Sequence, residues 1–118
     1  MTITAIAPPG TERRTAAIQG LSNLSAFLDT HPALPLGAEW SDEPFTVYVF
    51  AGTDEENRAE VDRIAGILGV QAAWMNGSGS HYTAVRRFGG GVTYRALAID
   101  SVYKTAGVGI PAGNEAAA

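Results

Sequence analysis

The stretch from Pro44 to Asp100 constrains the fold more than any other part of the chain. Its pattern passes from strand to helix to strand and closes on a hairpin, with few chemistry-bearing residues. Thr46, Val47, Tyr48, Val49 and Phe50 are strong β formers in an unbroken run from Phe45. A run so continuously apolar predicts a central strand, buried on both faces. Thr53-Asp54-Glu55-Glu56 then forms a capping box, in which the Thr53 hydroxyl and the Glu56 carboxylate each satisfy a backbone N–H of the helix start. Val61, Ile64, Ala65 and Leu68 line one face of the helix that follows, and Gly69 supplies a left-handed end residue.

Val70 to Met75 reads as a second strand, and Asn76 to Ser80 as a connecting loop. His81 to Phe88 and Val92 to Asp100 are strands joined across Gly89-Gly90-Gly91, a hairpin signal. A loop centred on Gly90 pairs Arg87 with Thr93, Val85 with Arg95, Thr83 with Leu97 and His81 with Ile99. The opposite face then carries Tyr82, Ala84, Arg86, Tyr94, Ala96 and Ala98. Neither face is cleanly apolar, so the pattern leaves open which one meets the helices.

Upstream, Ala17, Leu21, Leu24 and Leu28 recur at helical spacing, widened by Ile18 and Phe27. Thr11 is placed to cap this helix and Glu12 to favour its positive end. Gly20 weakens its middle by about 1 kcal/mol relative to Ala, which is tolerable where another element packs closely. Thr30-His31-Pro32 ends it, because a residue before proline is pushed out of the α region. The connector Pro32 to Gly37 is extended and apolar. It either lays Leu34 and Leu36 on the core or offers them to a partner.

The order helix, strand, helix, strand, strand, strand predicts an α+β two-layer sandwich, with both helices on one face of a mostly antiparallel sheet. A single domain over residues 11–104 is expected, preceded by an N-terminal arm at 1–10 and followed by a C-terminal tail at 105–118. At 118 residues the chain can bury one core without staples, and it contains no cysteine. Met1 to Gly10 lacks the basic and apolar regions of a secretory signal, and no apolar run is long enough for a bilayer, so a cytoplasmic location is expected.

A net charge of −4 disfavours broad nucleic-acid binding. The charges are polarised, however. Between Asp29 and Asp62 nine acids (Asp29, Glu39, Asp42, Glu43, Asp54, Glu55, Glu56, Glu60, Asp62) stand against Arg58 alone, and between Arg63 and Lys104 five bases (Arg63, Arg86, Arg87, Arg95, Lys104) stand against Asp100. Such a field orients an encounter.

The chemistry-bearing residues are sparse. His31 and His81 are the two imidazoles, with no metal-ligand spacing between them, so neither a metal nor a cofactor is expected. Ser80 and His81 are neighbours, which strand alternation would send to opposite faces. Gly77-Ser78-Gly79 precedes a strand, whereas a nucleophile elbow or a phosphate loop opens a helix. Arg86, Arg87 and Arg95 with Tyr82, Tyr94 and Phe88 form a basic and aromatic group. It suits a single-stranded nucleic acid or an acidic protein surface, or else is a solvated hairpin with Arg95 paired to Asp100 or to a helix acid. Trp40, in an irregular segment beside Asp42 and Glu43, is of the residue type richest in interface energy.

The stretch Leu21-x-x-Leu24-x-x-Phe27-Leu28-x-x-His31-Pro32-x-Leu34-Pro35 resembles the opening of small proteins found across actinobacteria, their plasmids and their phages. The likeness continues through Ile64-Ala65-x-x-Leu68-Gly69 and the hairpin around Gly89-Gly90-Gly91. It implies an accessory protein and carries over no activity or catalytic residue.

These features lean away from an enzyme and towards a non-enzymatic protein-binding accessory module, self-association through a free sheet edge included. Its expected contacts are Trp40, Leu34, Leu36, Arg86, Arg87 and Arg95. The alternatives are a nucleic-acid accessory factor using Arg86, Arg87, Arg95, Tyr82 and Tyr94, and a small-molecule binder or enzyme with His81 in a pocket.

Overall fold

The computed structural model describes residues 10–39, 41–75 and 80–100. Trp40, Lys104, the loop residues 76–79 and most of the expected arm and tail therefore lie outside the described residues. The elements follow the order α1 (Thr11–Thr30), β1 (Thr46–Tyr48), α2 (Asp54–Leu68), β2 (Ala73–Trp74), β3 (His81–Gly89) and β4 (Val92–Ile99). They form an α+β arrangement with a four-stranded open sheet in the order β1-β4-β3-β2. β1 runs parallel to β4, and the other two pairings are antiparallel.

The hairpin has the register that a Gly90-centred loop requires, with Arg87 opposite Thr93, Val85 opposite Arg95, Thr83 opposite Leu97 and His81 opposite Ile99. Gly89, Gly90 and Gly91 all adopt positive φ, which no other residue type does readily. The face left open by the pattern is settled by small side chains. Ala84, Ala96, Ala98 and Tyr94 lie beneath the helices in one cluster with Leu24, Leu34, Val61, Ile64, Ala65, Leu68 and Phe88. Three alanines on adjacent strands let the helical layer sit close to the sheet. On the outer face, Thr83, Leu97 and Ile99 are also buried, apart from that cluster.

Two strands differ from expectation. β1 is an edge strand, because β4 pairs with β3 on its other side; Phe45 to Val49 are accordingly half-buried. β2 shrinks to two residues of the six expected, both exposed. Its pairing with β3 covers only Ala73 opposite Thr83 and Trp74 opposite Tyr82.

α2 is closed at both ends as expected. The Thr53 hydroxyl accepts from the Glu56 N–H at 3.1 Å, Glu56 accepts from the Thr53 N–H at 2.9 Å, and Gly69 ends the helix in the left-handed region. Asn57, almost wholly buried, exchanges two hydrogen bonds with the Gly52 backbone at 2.9 and 3.1 Å and fixes the turn before the helix. α1 starts differently: Gly10, not Thr11, is its N-cap, and no side chain caps it. What holds α1 is a close crossing with the hairpin tip. A Cβ on Gly20 would overlap the Gly89 carbonyl, and one on Gly90 would overlap the Ala16 carbonyl. The Asn23 amide adds a bond to the Phe88 carbonyl at 3.2 Å.

Candidate protein-interaction surface

The two helices share one sheet face but use it unequally. α2 buries Asn57, Val61, Ile64, Ala65 and Leu68, whereas α1 buries Gly20 and Leu24. Of the apolar stripe expected to face the core, Leu24 alone is fully covered. Leu28 and Phe27 are partly covered, Leu21 is 51% exposed, and Ile18 beside it is 55% exposed. The cause is the Gly20 crossing: the backbone contact fixes which side of α1 touches the sheet and turns Ile18 and Leu21 away from it.

Leu21, Leu24 and Leu28 open onto two confluent depressions. One, of about 530 Å³, is lined by Leu21, Leu24, Ser25, Leu28, Asp29 and Phe45. The other, of about 320 Å³, shares Leu21 and Phe45 and continues over Pro44, Thr46, Gly91 and Val92. Leu36, 56% exposed, stands at the same end, because the Gly37 N–H donates to the Pro44 carbonyl at 2.8 Å. Leu34, by contrast, belongs to the core and is no surface contact; it is 7% exposed.

The hairpin arginines do not form one cluster. Arg86 lies on the helix side, donates to the Leu68 carbonyl at 2.8 Å, and stacks its guanidinium 4.6 Å from the Phe27 ring centre and 5.1 Å from that of Phe88. It thereby brings a positive charge to the end of α2, whose own last turn has no base. Arg87 and Arg95 share the outer face by their register. Arg95 does not pair with Asp100, which takes Arg58 at 2.8 Å instead; the Arg95 Nε is buried and unpartnered, as is the Thr83 hydroxyl.

The tyrosines are likewise occupied. Tyr94 is fully buried and its hydroxyl donates to the Pro35 carbonyl, so its ring offers no stacking platform; burial pushes its pKa up to about 12. The Tyr82 hydroxyl donates to Asp62 at 2.7 Å, and that bond raises its pKa. Trp74 meets Tyr82 edge-on at 5.1 Å with Arg58 over its ring at 5.7 Å, which makes a small aromatic patch at the β2 edge.

His31 is a helix-end residue as expected. Its Nδ1 lies 2.8 Å from the Phe27 carbonyl and its ring stacks on Phe27 at 3.9 Å. Ser80 and His81 do meet: Ser80 Oγ lies 3.0 Å from His81 Nδ1. Strand alternation does not separate them because β3 begins only at His81. Among the described residues no cluster of three or more His, Asp or Glu could hold a metal, and no helix is long and apolar enough to cross a membrane.

Neither free sheet edge is long. Val49 N–H donates to Leu97 O and Arg95 N–H to Phe45 O, so the odd residues of β1 bond inward and the even ones face outward. Of the latter, the Thr46 N–H donates to Glu43 O, and Gly37 approaches the Thr46 carbonyl. Among the described residues, Ile18 and Leu21 on α1 form an uncovered apolar strip beside Phe45, which the sequence shows as a stripe without showing what covers it.

Comparison with known proteins finds no matching family model, no similar curated protein and no similar solved structure.

Proposed function

We propose that this chain is a non-enzymatic, protein-binding accessory module that works through the outward side of α1, with Phe45 and Leu36 completing the surface. The resemblance to small proteins of actinobacteria and their mobile elements supplies the suggested host setting. One observation carries the reading: Ile18 and Leu21 stand more than half exposed on a helix whose depression continues onto Phe45. Covering a large aliphatic side chain is worth about 1.5–3 kcal/mol, a gain the fold leaves to a partner. The acidic loop residues Glu39, Asp42 and Glu43 and the outer-face arginines would steer the approach rather than hold the complex.

The test is capture from a nuclease-treated actinobacterial lysate by wild-type protein and by Leu21→Asp and Ile18→Asp, each first matched for thermal midpoint. A protein held by wild type and lost from both variants supports the reading. Equal capture by all three, or loss of everything on nuclease treatment, overturns it.

A further inference from the structure

We infer that the occupant of this surface is a second copy of the chain, docked with its α1 antiparallel to the first about a two-fold axis near Leu21 and Ser22. This deepens the reading of the α1 surface and rests on it. Three properties of the stripe agree in one register. Arg14, Ile18, Leu21, Ser25 and Leu28 follow each other at alternating spacings of four and three, so they lie along one side of the helix. In an antiparallel pairing about that axis, Ile18 comes opposite the second copy's Ser25, a bulky side chain against a small one. Leu21 of the two copies meets at the centre. Arg14 comes opposite the second copy's Asp29, and by symmetry the pair forms twice.

A residue pairing that repeats under the two-fold is what an isologous interface demands. A parallel pairing would set Arg14 against Arg14 and Asp29 against Asp29. Antiparallel helices also place the positive end of each dipole beside the negative end of the other. The free strand edges are too short to serve in place of the helix, with β2 two residues long and the β1 edge engaged at Thr46. A pairing through one helix from each copy falls in the small, weak and reversible class of association.

Sedimentation velocity of the full chain from low micromolar to millimolar concentration tests this. Wild type should move from one chain mass towards two, and Leu21→Asp should stay at one with an unchanged thermal midpoint. The charge pair fixes the orientation. Arg14→Glu and Asp29→Arg should each weaken self-association about tenfold, and the double variant R14E/D29R should restore it. A wild-type chain that stays at one mass throughout overturns the second copy; if Leu21→Asp still loses a captured protein, the α1 surface stands with another occupant. Self-association that ignores Leu21→Asp, or a double variant weaker than either single one, also overturns the inference. If wild type is a monomer and lysate capture ignores α1, both readings fall.

Discussion

The two helices lie side by side on one sheet face, yet they are held by different physics. α2 is specified locally, by a capping box, a left-handed glycine and five buried residues, and then pressed onto three alanines of the sheet. α1 has no side-chain cap and two buried residues, and is placed by a backbone crossing at Gly20 and Gly90 that only the folded hairpin supplies. A helix held by its own sequence can spend all its apolar residues on the core. A helix held by a glycine contact keeps some outside. In this chain the division of labour between scaffold and surface follows from that difference.

The contrast can be broken by experiment. The largest effect is expected from truncating the α2 face: Ile64→Ala should cost about 2–5 kcal/mol, because the side chain is fully buried, whereas Leu21→Ala should change stability by less than about 1 kcal/mol. Urea denaturation of the two variants checks this, and a comparable loss at Leu21 would mean that α1 packs as α2 does. Gly20→Ala comes next. Alanine normally strengthens a helix by about 1 kcal/mol over glycine, but here its methyl meets the Gly89 carbonyl, so a net loss of about 1–3 kcal/mol is expected.

Tyr94 sharpens the comparison at the seam between core and connector. Its pKa is raised to about 12 in the folded state against about 10 when unfolded, so the folded chain holds the proton more tightly. Its contribution is therefore complete below pH 10 and is lost as pH rises through 12, about 1 kcal/mol being gone at pH 11. Thermal melts from pH 9 to 11.5 should fall more steeply for wild type than for Tyr94→Phe. The smallest contrast is at the helix starts. In urea denaturation Thr53→Ala should cost about 1 kcal/mol by removing the α2 cap, whereas α1 has no side-chain cap to remove.

What the sequence made legible is what neighbouring residues determine. The Thr53–Glu56 box, the Gly69 end and the hairpin register across Gly89 to Gly91 are short-range features and appear as expected. Features decided by distant parts of the chain were less so. Periodicity marks Leu21 as apolar, but not that the Gly20 crossing turns it outward. A continuous apolar run at Phe45 to Phe50 suggests a central strand, yet position in the sheet is set by β4, which pairs with β3 instead of leaving room beyond β1. Arg86 reads as part of a basic patch until Phe27, some sixty residues away, is found beneath its guanidinium.

The strand order β1-β4-β3-β2 also sets when this chain can fold. β4 is the last of the described elements in sequence, yet it is the strand on which β1 and β3 both pair and against which both helices rest. During synthesis α1, β1 and α2 therefore emerge before the surface that organises them exists. The segment carrying Ile18, Leu21 and Phe45 must wait in water, or with a chaperone, until Val92 to Ile99 has left the ribosome. Acquisition of structure is then a late, collective event rather than a progressive one. A nascent chain stalled before β4 should be open to protease along its whole length.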